Sequence, residues 1–335
     1  AEAIGPDFKT KPVGTGPFAL VEYKSNESLT FVANKAYFRG APKIDKIVYR
    51  FIPADASRDL AFTSGELDVV YGRQDQRWVE RFKKEPNVVV EVVQPSELSL
   101  FHLNRAMKPL DDLRVRQAIA YAVDSKQMVA FKGAATALPP VSVIPTGYLG
   151  TDEKAKLYPF DPAKAKALLA EAGYPNGVAI KVLQTSLPTM LNSMQILQAQ
   201  LKTVGIDLQM EVVDHQSWHA QIRKDLSGAN YYSAARFPVA DVYLKQFFHS
   251  SATVLKPTAV TNFSHCDVAD KEIDEASVAV DPVKQKELWY IAQKKIIEDV
   301  CAVPLFEQLQ VWARHTNVDY GYQFKGAIHL GPVIT

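Results

Sequence analysis

Between Asp161 and Val213 the chain spells out a complete supersecondary unit. The stretch DPAKAKALLAEAG begins with an aspartate that can cap a helix and a proline suited to its first turn, and ends on Gly173, where a left-handed residue closes a helix. A β-rich run from Val178 to Leu183 follows. Next come a helical period from Met190 to Val204, ending on Gly205, and a second strand pattern from Asp207 to Val213. Strand, helix and strand in that order predict a βαβ unit and a largely parallel sheet. The fold class is therefore α/β.

The same mixture runs from end to end. The turn KPVGTGP leads into Phe18 to Tyr23, which with Leu29 to Ala33 predicts a hairpin; Lys46 to Ile52 reads as another strand. The opening turn is not a phosphate cradle, because it lacks the Gly-x-Gly-x-x-Gly spacing and a preceding strand. Ala54 to Ser64 predicts a helix closed by Gly65. Leu67 to Tyr71 predicts a strand, and Gln74 to Lys84 a helix with Trp78, Val79 and Phe82 on one face. Val88 to Val93 and Leu98 to Leu103 read as buried strands. Asp111 or Asp112 can cap LRVRQAIAYAV. Val283 to Val300 predicts a long amphipathic helix, followed by a strand-like run from Ala302 to Phe306.

With 335 residues, the chain is long for one core and comfortable for two. It holds 38 basic and 37 acidic residues, so no strong field for nucleic acid or anionic lipid is expected. No apolar run approaches the ~20 residues needed to span a bilayer, and residue 1 opens no signal-like stretch. Cys266 and Cys301 lack the spacing of a metal knuckle or redox pair; they are either free and buried or joined as one disulfide.

More specific are VGTGPFAL, ANKAYFRGAPKIDKIVYRFIP, LAFTSGELDVVYG, FHLNRAMKPLDDLRVRQAIAYAVD and LQAQLKTVGIDLQMEVVD. In this order, over nearly the whole chain, they resemble the substrate-binding proteins of peptide/nickel-type ABC importers, the extracellular solute-binding protein family 5. The resemblance implies a periplasmic binding protein-like fold of type II, with two lobes, a hinge and closure over a ligand. It divides the chain into residues 1–103 (lobe I, partial), 104–303 (lobe II) and 304–335 (the return to lobe I). Members of the family carry a long stretch ahead of the glycine turn, so the first lobe is expected to be incomplete at its N-terminus. A missing strand would leave an open edge, from which an edge-strand dimer is expected.

Peptide-binding relatives place a tryptophan and, three residues later, an aspartate that meets the peptide amine. Aligned on Tyr243-Leu244, those positions are Ser233 and Arg236. The charge is reversed, and a guanidinium fork suits a carboxylate or phosphate. An anionic ligand at Arg236 is expected; pairing of Arg236 with Asp241 is the competing reading. Tyr231, Tyr232 and Phe237 flank the arginine and serve either ligand stacking or the core. Phe101, His102 and Asn104 lie at the expected crossing between lobes. Gln184, Thr185 and Ser186 follow a strand end, where open α/β sheets take ligands. Thr258, Thr261 and Asn262 add neutral hydrogen-bonding groups on a loop. His215 and His219 stand four apart on a helix, but HExxH is absent, so no metal is expected there. Asp267, Asp270 and Asp274 are expected to cap a helix. No catalytic constellation is visible, and no cofactor is implied.

The functional expectation is an exported, periplasmic solute-binding component of an ABC importer. It captures a small organic ligand, peptide-like or anionic, and delivers it to the permease membrane subunits. Two alternatives stand beside it: a ligand-sensing domain of a regulator or receptor, and an unrecognised hydrolase.

Overall fold

The computed structural model describes residues 10–256 and 261–320, together with Gly5 and Phe8; Thr258 lies outside the described residues. Along the chain run β1 (Phe18–Lys24), β2 (Ser28–Ala33), β3 (Lys46–Arg50), α1 (Asp55–Thr63), β4 (Val69–Tyr71), α2 (Gln76–Phe82) and β5 (Val88–Leu103). Next are α3 (Leu113–Ala122), α4 (Ser125–Lys132), β6 (Ala137–Leu138), α5 (Pro162–Glu171), β7 (Val178–Thr185), α6 (Pro188–Lys202) and β8 (Ile206–Val213). The remainder is α7 (His215–Ile222), β9 (Ala229–Ala234), α8 (Ala240–Phe248), α9 (Asp270–Val278), α10 (Pro282–Glu298) and β10 (Ala302–His315). The fold is mixed α/β, as the alternation of patterns requires.

The chain divides into two compact units, Ala1–Val93 with Gln310–Thr335, and Gln94–Leu309. Strands β5 and β10 carry the chain from one to the other. The runs read separately at Val88 and Leu98 form the single strand β5, which continues through Pro95.

The first unit has its own core, in which Phe62, Trp78, Phe82 and Val311 are buried, and Trp78 stacks on Phe82 with centroids 4.1 Å apart. The indole N–H of Trp78 donates to the buried Asp59 carboxylate at 2.9 Å. Its three-stranded sheet, β1-β2-β3, is antiparallel, and Val21, Tyr23, Val48 and Tyr49 stand exposed on it.

In the second unit, β7 and β8 pair in parallel from Val178↔Ile206 to Thr185↔Val213, joined by α6. Strands β5 and β9 pair antiparallel, as do β6 and β10. Among the described residues the expected parallel pairing of strands is seen at the α6 crossover, since a crossover helix fixes direction only for the two strands it connects. Aspartate caps set the starts of α2, α3, α4, α5, α7 and α10. Asp112 accepts from the Arg114 N–H at 2.8 Å and Asp161 from the Lys164 N–H at 2.9 Å. For α9 the capping expectation fails, since its N-cap has no side-chain bond. Asp267 instead pairs with Arg105 at 2.8 Å, Asp270 accepts from the Ser250 N–H at 3.0 Å and Asp274 meets His249 at 3.3 Å. Partners from other elements take these carboxylates away from the helix end.

One buried polar side chain organises the loop before α5. Gln293 of α10, fully buried, donates to the Gly150 carbonyl and accepts from the Ser142 hydroxyl and the Asp152 N–H. Gly150 has φ +91, and a Cβ there would run into the Trp289 ring and come within 2.9 Å of the Ala240 Cβ. Only glycine fits.

Cys266 and Cys301 form a disulfide, both residues fully buried, closing a separation of 35 residues. Loop-closure entropy assigns such a link about 4 kcal/mol. Replacing Cys266 and Cys301 together by serine is expected to lower the urea-derived unfolding free energy by about that amount. A loss well under 1 kcal/mol would show that the crosslink does not hold this corner.

Candidate functional site in the second unit

The parallel pair β7–β8 ends at Thr185 and Val213, and α7 begins directly afterwards at His215, capped by Asp214. The Thr185 hydroxyl bonds His215 Nδ1 at 3.0 Å and accepts from the Leu187 N–H at 3.1 Å. His215 lies against His219 and Trp218, with ring centroids 4.6 and 5.6 Å away. Tyr232 of β9 continues the surface: its ring meets Trp218 at 6.0 Å, Phe263 at 5.1 Å and Phe247 at 6.0 Å. Carboxyl-end residues of three strands are thereby joined by one aromatic belt. Burial, with the neighbouring charges of His215 and Arg223, holds His219 below the usual imidazole range, so it serves this belt as a neutral ring.

Arg236 sits just beyond β9. The Tyr148 hydroxyl donates to the Arg236 carbonyl at 2.9 Å and accepts from the Arg236 N–H at 2.9 Å, pinning the main chain from both sides. The guanidinium lies over the Phe247 ring, 4.8 Å from its centroid. Its Nε donates to Gln246 and its Nη1 to the Ala235 carbonyl. It does not pair with Asp241, whose Oδ1 is buried without a hydrogen bond. Neutral groups and an aromatic face therefore orient this cation, and no carboxylate lies within ion-pair distance of it among the described residues. A half-buried guanidinium so held keeps the chemistry to receive an anion.

The other sequence-derived residues divide by burial. Ser233 bonds the buried Ser99 hydroxyl at 2.6 Å, and both lie near the Tyr231 hydroxyl. Phe101 is fully buried in the larger apolar core of the unit. Asn104 donates to Asp225 and accepts from the Ala106 N–H, and Asn262 bonds His249, Ser264 and Cys266. These three side chains serve packing and loop closure. Thr261 bonds the Gln246 carbonyl at 2.6 Å. Gln184 is buried with its Oε1 unpartnered, while Ser186 and Phe237 are exposed. The structure brings Thr185, Tyr232 and Arg236 to one aromatic belt and leaves Phe237 and Ser186 at its exposed side.

His102 is a further buried polar group without a partner. It is fully buried, stacked on Phe247 at 5.7 Å and edge-on to Phe263, with neither ring nitrogen hydrogen-bonded. Burial pushes its pKa down to about 3.

Reading the sequence missed Trp218, Phe247 and Tyr148. The α8 spacing of Tyr243, Leu244, Phe247 and Phe248 marks Phe247 as facing inward, so that signal was present. Nothing local announces Tyr148, which is 88 residues from its partner. Among the described residues no group of three metal-ligating side chains converges.

Residues 1–254 match the model of the bacterial extracellular solute-binding proteins, family 5 Middle. The chain belongs to this family. Among solved structures it is 48% identical to MoaA of A. tumefaciens R10 in complex with mannopinic acid, with a TM-score of 0.85 over 100% of this chain and 68% of that one. DppA of Helicobacter pylori, an ABC transporter-associated periplasmic binding protein in complex with peptide STSA, is 27% identical, with a TM-score of 0.83 over 97% and 63% of the two chains. These likenesses make the fold that of type II periplasmic binding proteins. The nickel-binding periplasmic protein of Escherichia coli K12 is 28% identical over 315 residues, 88% of this chain and 59% of the relative. The chain spans 37%, 59% and 66% of the length of three curated relatives it matches.

His102 gives this region a pH signature. In the folded chain its imidazole stays uncharged down to about pH 3, while an unfolded one takes a proton near 6.5. Its stabilising contribution is complete above pH 6.5 and declines as pH falls toward 3, by about 1.4 kcal/mol per unit. Chemical unfolding of wild type and His102→Leu at pH 7 and pH 4.5 is expected to show a steeper loss for wild type. Parallel losses would contradict the burial of a neutral imidazole.

Proposed function

We propose that this family 5 protein captures a small organic acid, with Arg236 receiving its anionic group, and hands it to the membrane subunits of an ABC permease. The observation that carries this reading is the arginine itself, locked by Tyr148, Gln246 and Phe247 while lacking a carboxylate partner. The 48% identical MoaA is solved with an acid, mannopinic acid, which fits a cationic rather than an anionic anchor.

Tyr232, Ser233 and the Thr185–Ser186 strand end supply the adjoining ring and hydroxyl contacts, with Gln184 and His102 behind them; Phe237 offers an exposed ring at the margin. Phe101, Asn104 and Asn262 act as supports for this surface. The two compact units serve as the two lobes of the receptor. Capture is reversible and needs no covalent step: a few polar groups hold the solute while apolar surroundings exclude water. Residence in the periplasm accords with the buried disulfide, which persists in oxidising compartments, and with the periplasmic relatives.

The test is calorimetric titration with a panel of organic acids that includes mannopinic acid. Arg236→Ala is expected to weaken binding of the acids that wild type retains by about a hundredfold, and Arg236→Lys to keep part of it as a point charge. Unchanged affinity in Arg236→Ala would remove the arginine from the site.

A further inference from the structure

Arg223, at the end of α7, fixes which nitrogen of His219 carries the proton. Its Nη1 donates to His219 Nδ1 at 3.0 Å and to the His219 carbonyl at 2.7 Å. A guanidinium has donors and no lone pair to offer, so Nδ1 must be the acceptor. The proton of the neutral ring therefore sits on Nε2. Among the described residues that Nε2–H has no hydrogen-bond partner, and the side chain is half-buried. Burial and the charges of His215 and Arg223 oppose a second proton on the ring.

Direct contacts join this ring to the arginine. His219 lies 4.7 Å from Trp218 and 6.2 Å from Tyr232, centroid to centroid. Tyr232 meets Phe247 at 6.0 Å, and the Arg236 guanidinium rests 4.8 Å over the same Phe247 ring. On its other side His219 meets His215, which bonds Thr185 at the carboxyl end of β7. Such strand ends are where open α/β sheets take ligands. A half-buried N–H donor without an acceptor carries a desolvation cost that a ligand oxygen would relieve. Because this donor is uncharged, the cation takes the acid group and the imidazole is left for a neutral oxygen.

Resting on the reading of Arg236 as an anion receptor, we propose that His219 is a specificity-determining residue. It donates its Nε2–H to an uncharged oxygen of the ligand, remote from the acid group, and Arg223 is the positioning residue that keeps the proton there. The ligand class narrows to organic acids that carry a hydroxyl, ether or carbonyl oxygen several bonds from the acid. A solute ending in an ammonium would set donor against donor and is rejected.

The experiment titrates the whole chain with mannopinic acid in wild type, His219→Phe, His219→Gln and Arg236→Ala, and reads the histidine tautomer by long-range proton–nitrogen NMR. His219→Phe keeps a ring in the belt but removes the donor, and should weaken binding about fivefold, the scale of one neutral hydrogen bond. His219→Gln supplies an amide N–H in its place and should restore most of that loss. The spectrum of wild type without ligand should show His219 protonated on Nε2, and Arg223→Met should shift part of the proton to Nδ1. Unchanged affinity in His219→Phe, no recovery in His219→Gln, or failure of wild type to bind mannopinic acid overturns the proposal. A tautomer that Arg223→Met leaves unaltered overturns the positioning role. If Arg236→Ala weakens binding and His219→Phe does not, the anion receptor stands and only the role of His219 falls. If His219→Phe weakens binding and Arg236→Ala does not, the anion receptor itself is refuted.

Discussion

The two-way hydrogen bond between the Tyr148 hydroxyl and the main chain of Arg236 is the constraint on which the site rests. A strand end is ordinarily free to fray. Here both the N–H and the carbonyl of one residue are engaged by a side chain from a distant loop, so the arginine leaves β9 in one direction. That loop is itself fixed. Gln293 holds Gly150 and Asp152, the Leu149 N–H donates to the Pro238 carbonyl and the Ala240 N–H to the Leu149 carbonyl. Through its buried Gln293, helix α10 thus reaches the main chain of Arg236 by one chain of bonds, each satisfying a polar group that burial would otherwise penalise.

Electrostatics then gives the arrangement its chemistry. A guanidinium resting on an aromatic ring keeps its charge while losing part of its hydration, which strengthens its pull on an incoming anion. Neutral partners orient it without neutralising it. The aromatic belt from His215 to Phe247 supplies the low-polarity surroundings, and His102 and His219 belong to it as uncharged rings. A protonated histidine at either position would compete with Arg236 for the same anion. Burial prevents this.

Much of the fold was legible because its signals are local. The aspartates ahead of α3 and α5, the glycines after α1 and α5, and the period of Trp78, Val79 and Phe82 each act within a turn or two of themselves. Sheet direction was less legible, since pairing joins residues far apart: Leu98 meets Ala234 across β5 and β9. At the site, the reversed charge at Arg236 could be read from the chain, as could Tyr232 beside it. What holds Arg236 could not. Tyr148 and Gln293 carry no spacing that marks them, and their roles arise only when the loop before α5 folds back on β9. Asn104 and Asn262 illustrate the reverse, where a residue type suited to binding a solute is used by its own loop.

A crystal structure of the protein with an acidic solute that it binds tests the central claim most directly. The account predicts the acid group of the solute within hydrogen-bonding distance of the Arg236 guanidinium, with the guanidinium still over the Phe247 ring and the Tyr148 bonds intact. A solute seated elsewhere, with Arg236 turned to water or paired with a protein carboxylate, would contradict it.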